Sequence, residues 1–141
     1  MTQPCIYKNT NGDIVGDGVY GLLATALNVD LVSEATTNII TPAVGYVIIP
    51  DKLNYLCTAF TLANGDGGYT AGTNGADYDD YMGGGMIMNL TAIGDYEIAT
   101  LMPARICEVT SADTFAFKVG TKDSGTALNV DIQVWGWIYK Q

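Results

Sequence analysis

The segment TALNVDIQVWGWIY, residues 126–139, constrains the fold of this chain more than any other segment. Successive side chains of a β-strand point to opposite faces of the sheet, so a long alternation is typical of a strand with one buried face. In this segment aliphatic residues alternate with polar and aromatic ones: Leu128, Val130, Ile132, Val134 and Ile138 against Asn129, Asp131, Gln133, Trp135, Trp137 and Tyr139. It therefore predicts a half-buried strand whose aliphatic side chains face the core.

Shorter segments with β-branched and aromatic residues follow the same logic, and turn residues such as Pro50-Asp51 and Gly94-Asp95 separate them. They are DIVGDGVY, TALNVDLV, VGYVII, LNYLCTAFTL, GMIMNL, DYEIATLM, RICEVT and TFAFKV. Together they predict one all-β domain over residues 1–141, an antiparallel β-sandwich, jelly roll or small barrel of about eight or nine strands. Residues 1–12 could form an N-terminal arm.

Two details of this assignment depend on the tertiary structure. The run GLLATALNV, residues 21–29, fits a strand or a short helix, because periodicity does not separate the two at this length. In DYEIATLM, Asp95 and Glu97 share a face opposite Tyr96 and Ile98. The two acids are expected on a solvated polar face, although such a pair could also serve a glycosidase.

The charge distribution excludes several functions. The chain has 15 acidic and six basic residues, a net charge of −9, and its bases are scattered singly, so no basic stripe predicts nucleic-acid binding. It has no histidine, which removes Ser-His-Asp and Cys-His catalysis. We therefore expect that the chain is not an enzyme. Only 15% of the residues are charged, which suggests that a partner covers part of the surface.

The cysteines and the apolar runs bear on the compartment. Cys5, Cys57 and Cys107 are an odd number with no C-x-x-C spacing, so reduced thiols are expected rather than disulfides or zinc. Residues 1–20 hold no apolar run of signal-peptide length, and no run is long enough to span a membrane. These features predict a chain made in the cytoplasm with no membrane partner.

Residues 64–85, NGDGGYTAGTNGADYDDYMGGG, are predicted to form one long loop. Asp66, Asp77, Asp79 and Asp80 could supply oxygen ligands for calcium, although their spacing does not fit the helix-loop-helix calcium site. The main expectation is no cofactor. Tyr69, Tyr78 and Tyr81 favour a loop that a partner orders, since tyrosine gives a large amphipathic contact.

The aromatic face of residues 126–139 also requires a cover. Trp135, Trp137 and Tyr139 would form an exposed apolar stripe of a kind that monomers seldom carry. A second sheet, a neighbouring subunit or a sugar could cover them, and subunit packing is favoured because the surface has little charge. Gly136, between the tryptophans, is expected to face the core, beside a bulky neighbour or at a bulge.

In size, β character and a long C-terminal strand, TALNVDIQVWGWIYKQ, the chain resembles the small jelly-roll proteins that decorate or cement the heads of tailed bacteriophages. The resemblance is architectural and includes no diagnostic motif. It implies a virion protein that assembles as a trimer and binds the capsid lattice through the N-terminal segment or a loop face. The alternative function is a carbohydrate-binding or adhesive domain in which Trp135, Trp137 and the loop tyrosines stack on sugars.

Overall fold

The computed structural model describes residues 18–86, 90–101 and 108–140. Within these ranges the chain forms β-strands and no helix. The strands are β1 (Val19–Asp30), β2 (Thr36–Ile40), β3 (Tyr46–Leu62), β4 (Gly68–Gly72), β5 (Met82–Met86), β6 (Tyr96–Thr100), β7 (Phe115–Thr121) and β8 (Ala127–Lys140). The predicted arm, residues 1–12, lies outside the described residues, as do residues 105–107 of the predicted strand RICEVT.

The strands pair into two antiparallel sheets of four strands each, with the orders β1-β8-β3-β6 and β2-β7-β4-β5. We call the first the larger sheet, because it contains the three longest strands, and the second the smaller sheet. The pairs β1·β8, β2·β7, β3·β6 and β4·β5 are those of a single long hairpin closed at β4 and β5. The pairs β3·β8 and β4·β7 join them into sheets. The prediction of an all-β antiparallel sandwich is confirmed.

The core lies between the sheets, with β8 and β7 at its centre. The inner side chains of β8, Leu128, Val130, Ile132 and Val134, are fully buried, as their alternation predicts. The smaller sheet contributes Phe115, Phe117 and Val119, and Tyr55 of β3 packs edge-on against Phe117 with their ring centroids 5.9 Å apart. Each large apolar side chain buried in this way contributes about 1.5–3 kcal/mol, which favours one strand register over the alternatives.

The Pro50-Asp51 dipeptide is not a turn, and this prediction was wrong. β3 runs straight through it, joining the predicted strands VGYVII and LNYLCTAFTL, and the register with β8 shifts between Pro50 and Lys52. A β-bulge tolerates proline because it already interrupts the hydrogen-bonded ladder. Gly136 lies opposite Pro50, and a Cβ on Gly136 would collide with the carbonyl oxygen of Ile49. The expected close neighbour of Gly136 is therefore backbone.

β1 confirms the strand alternative for residues 21–29, and it is bulged between Ala26 and Val29. Asn28, at this bulge, has a φ of 52°, in the left-handed region that asparagine tolerates better than most residues. Its backbone N–H donates to Asp131 Oδ1 (2.9 Å), and its side-chain oxygen accepts from the Thr58 hydroxyl (3.0 Å). These bonds to β8 and β3 fix the bulge, beside which Leu27 is 70% exposed.

Residues 64–85 are not one long loop, which corrects the prediction for this segment. β4 and most of β5 lie within it and pair with each other, and β4 also pairs with β7. The loop between the two strands, residues 73–81, is much shorter than predicted. Pairing with β7 makes this glycine-rich segment part of the smaller sheet.

Candidate functional site

The outer face of the larger sheet, the face turned away from the core, exposes large apolar side chains along both edges. On the β6 side, Tyr96 lies directly opposite Leu56, and Ile98 follows on the same face of β6. Tyr96 is 69% exposed and Ile98 53%. We call Leu56, Tyr96 and Ile98 the β6 patch.

The opposite edge of this face carries a second group, Tyr20, Leu22 and Leu27, which we call the β1 patch. Tyr20 and Leu22 lie opposite Trp137 and Trp135 of β8. Three strand spacings separate β1 from β6, so the two patches are roughly 14 Å apart. Monomeric proteins seldom expose large apolar areas on one face.

A polar row separates the two patches. The Asn54 side-chain amide and the Trp135 indole N–H both donate to Gln133 Oε1, each at 3.2 Å. The Lys52 ammonium lies 5.9 Å from the centre of the Trp135 ring, a cation–π distance. These contacts hold Trp135 in place in a half-buried position, where Lys52 occupies part of the space above its ring.

The sequence predicts that Trp137 and Tyr139 form an apolar stripe that needs a partner to cover it, but in the structure both side chains are already buried within the single chain. Both lie on the outer face of β8, yet they are buried in a second apolar cluster with Val47 and Ile49 of β3. The Tyr20 ring packs edge-on against Trp137, with centroids 5.1 Å apart. The alternation correctly placed these aromatic side chains on the face opposite the core, but contacts within the same chain already cover them.

Tyr20 also reaches the bulge in β3, where its hydroxyl donates to Asp51 Oδ2 at 3.0 Å. Burial, together with this hydrogen bond and the negative charge of Asp51, raises the pKa of Tyr20 to about 12. Tyr20 is therefore neutral at physiological pH and joins the β1 patch to the Trp137 cluster.

Two of the loop tyrosines lie in the core, which corrects their assignment as partner contacts. Tyr69 is 1% exposed and stacks on Phe117 at 5.7 Å, and Tyr81 is 3% exposed and packs edge-on against Phe115 at 5.3 Å. Both therefore stabilise the sandwich of a single chain. Tyr78, with a φ of 49°, is half-buried in the loop.

The 73–81 loop is hydrogen-bonded to its own chain. The Thr70 hydroxyl donates to the Asp77 carbonyl (3.0 Å), and the Lys118 ammonium donates to the Ala76 carbonyl (2.7 Å). Both side chains come from the outer face of the smaller sheet, so the loop folds back over that face. Gly72 permits this approach, since a Cβ there would overlap the Asp80 carboxylate.

The candidate calcium ligands do not converge. Asp80 accepts from the Thr73 N–H and hydroxyl (2.6 and 2.8 Å), and Asp79 accepts from the Asn74 amide (2.6 Å). The Asp77 side chain is exposed in the same loop. The fourth candidate, Asp66, belongs to a different loop. Among the described residues, no group of three or more acidic, cysteine or histidine side chains could hold a metal ion.

Asp66 and Asp123 instead join the 63–67 loop, between β3 and β4, to the β7–β8 turn. Ser124 donates to Asp66 through its N–H (2.8 Å) and its hydroxyl (2.5 Å). Asp123, 1% exposed, accepts from the backbone N–H groups of Asn64 (2.9 Å), Gly65 (2.8 Å) and Gly125 (2.7 Å). Asp123 was not among the candidate residues, although Asp-Ser-Gly between two strands is a turn signal that could have indicated it.

The expectation for Asp95 and Glu97 is also corrected. Tyr96 and Ile98 face solvent, so Glu97 lies on the inner side of β6 opposite Tyr55. Asp95 accepts three hydrogen bonds from the turn before it, from the Thr91 N–H and hydroxyl and the Ala92 N–H. These bonds, with those from Thr91 first, hold the pKa of Asp95 below its usual value. Asp95 thus caps a turn.

No protein-family model, curated protein or solved structure matches this chain. In the described ranges no helix is long and apolar enough to cross a membrane. The function must therefore be inferred from the geometry of the chain itself.

Proposed function

We propose that this chain is a structural protein of a virus particle, a capsid decoration or cement subunit that forms a symmetric oligomer, a trimer, on the capsid lattice. The observation that carries the proposal is the outer face of the larger sheet, where the β1 and β6 patches leave six large apolar side chains more than a third exposed. Such a face favours a protein partner. The mechanism is binding energy alone, with no chemical step.

The strand order supports the same proposal. Strands that pair as one long hairpin and lie in two sheets are the arrangement of a jelly roll, and we infer that topology here. Viral capsid domains and lectins both use this fold. The fold alone does not decide between them, so the surface must.

We assign the contact with the capsid lattice to the outer side of the 73–81 loop. Asp77 and Asp79 are exposed there, and the Lys118 ammonium already bonds to the loop backbone. An acidic loop on the smaller sheet would bind a basic lattice surface and weaken with added salt. The larger sheet remains free for contacts between subunits.

Sedimentation tests the particle role. Native extract is run through a density gradient, and an antibody against the chain locates the protein. Co-sedimentation with intact virus particles, followed by release at high salt, is expected. Recovery only in the fractions of free protein would refute the assignment to a virion. Replacing Asp77 and Asp79 by asparagine should weaken binding of the purified protein to emptied particles.

The second candidate is a carbohydrate-binding or adhesive domain. Tyr96, which is 69% exposed on the same face as the Asn54 and Gln133 amides, is the observation that favours it. The tryptophans favour it less, because Trp137 is buried and Lys52 lies over Trp135. A glycan array that is positive for wild-type protein and silent for Tyr96→Ala would support this function over the first.

A further inference from the structure

We propose that the outer face of the larger sheet is the surface through which copies of this chain contact one another. The inference rests on the proposed function, in which the chain is a symmetric oligomer, and names the interface and its occupant. Three features of the face bear on the occupant: its apolar area, its charge and its contrast with the opposite side of the molecule.

The apolar area suits a contact between two copies. The exposed fractions of the β1 and β6 patches run from 36% for Tyr20 to 70% for Leu27. A large side chain presents about 150–250 Å², so the patches amount to roughly 500 Å² per copy. In a cyclic trimer the β1 patch of each copy meets the β6 patch of the next, so each interface buries roughly 500 Å² of apolar area. With the usual polar share this is about 900 Å², at the small end of specific protein interfaces.

The charge of the face identifies the partner as a second copy. Lys52 and Asp131 lie between the patches, and Asp51 lies beside Tyr20. Both carboxylates already accept hydrogen bonds within the chain, Asp131 from the Asn28 N–H and Asp51 from the Tyr20 hydroxyl. A chain of net charge −9 repels its own copies over most of its surface. A face with few charges is where identical chains approach with the least repulsion, whereas a basic partner would gain little from it.

The smaller sheet offers no equivalent surface. The 73–81 loop, held by Thr70 and Lys118, covers part of its outer face, and the outer residues of β2, Thr36 and Asn38, are exposed but polar. That loop exposes the carboxylates of Asp77 and Asp79, which two copies in contact would place near one another. Of the two sheet faces, only that of the larger sheet is both apolar and free of acidic clusters in the described residues.

The test places one carboxylate in each patch and compares it with the same change elsewhere. Leu22→Asp and Ile98→Asp alter the face, whereas Val44→Asp and Ile93→Asp alter side chains that are 87% and 67% exposed in turns outside the strands. All four variants change the charge equally. Ile98→Thr keeps β-branching and removes apolar area, so it serves if aspartate perturbs the strand. Circular dichroism confirms folding.

Sedimentation equilibrium over a range of concentrations gives the mass of each protein. We expect an oligomeric wild type, a rise of at least about tenfold in the dissociation constant for Leu22→Asp and Ile98→Asp, and no change for the two turn variants. An oligomer unaffected by Leu22→Asp, Ile98→Asp and Ile98→Thr would overturn this interface and leave the proposed oligomer standing. A wild type that is monomeric throughout would overturn both.

Glycan binding distinguishes the other occupant of this face. If Ile98→Asp abolished binding on a glycan array and left the oligomeric mass unchanged, the face would be a sugar site and the inference would be overturned. Loss of the oligomer with no glycan binding by any variant would support it.

Discussion

Replacing Asp123 by asparagine should destabilise the sandwich far more than the same change at Asp66. The two aspartates sit in the same pair of loops and both accept two or more hydrogen bonds across them. They differ in burial: Asp123 is 1% exposed, whereas Asp66 lies at the surface. The pair therefore separates the effect of burial from the loss of one negative charge.

The magnitude follows from the geometry of Asp123. Its Oδ1 accepts from Asn64 and Gly125, and its Oδ2 accepts from Gly65. An asparagine keeps one oxygen for two of these N–H groups and turns an NH₂ group toward the third, so two buried donors face each other. Hydrogen bonds to a charged group are worth about 1.5–3 kcal/mol, and a buried unsatisfied donor costs a similar amount. We expect a loss of about 3 kcal/mol.

Urea and thermal unfolding followed by far-UV circular dichroism measure this loss. For a domain of this size, about 3 kcal/mol corresponds to a melting temperature lower by roughly 10 °C. Asp66→Asn, the control, should shift far less, because water can replace its partners. A loss below about 0.5 kcal/mol for Asp123→Asn, at an unchanged m-value, would refute the reasoning. Equal losses for both variants would also refute it, since burial would then not matter.

Three further predictions concern separate parts of the molecule. Because the folded-state pKa of Asp95 is depressed, its contribution to stability is present above its unfolded pKa of about 3.9 and is lost as the pH falls through the lower folded value. Asp95→Asn should therefore flatten the fall in melting temperature as the pH drops below about 4, and an unchanged slope would argue against the capping bonds. Burial raises the pKa of the Cys57 thiol and shields it from reagents. In a variant whose other cysteines are serine, Ellman's reagent should therefore label Cys57 only after denaturation. Rapid labelling of the folded protein would contradict this burial. Gly136→Val should lower the free energy of unfolding by more than about 2 kcal/mol, because its side chain would meet the Ile49 carbonyl. The control Gly75→Ala, in open space but at positive φ, should cost only about 1 kcal/mol. Similar costs for both would show that β3 moves to make room at Gly136.

Local pattern predicted the strands that carry a strict alternation. β8 and β7 were predicted because their aliphatic or aromatic residues fall at every second position and fill one face of the core. β2 and β4 were not predicted. Thr36–Ile40 and Gly68–Gly72 have little apolar patterning of their own, and both are strands because each pairs with β7. Pairing between distant segments is invisible to a local pattern.

Alternation also left open which face of a strand is buried. In β6 the period of two is present, but the aromatic and aliphatic side chains of Tyr96 and Ile98 face solvent while Glu97 faces inward. β6 is an edge strand, so its outer face has a neighbour on one side only. The candidate interface could not be predicted either, because a local pattern does not show which strands become neighbours. Its residues come from β1, β3 and β6, which meet only once β8 lies between β1 and β3.

The position of β8 sets the order in which the chain can fold during synthesis. β8 follows all the other strands along the chain, yet it lies inside the larger sheet and pairs with both β1 and β3. A ribosome therefore releases β1 and β3 long before the strand that joins them. Contacts between segments so far apart form slowly, and the waiting strands have unpaired edges that bind other chains. We expect nascent chains stalled before residue 126 to be held by chaperones or to aggregate, and the sandwich to close only after β8 has emerged.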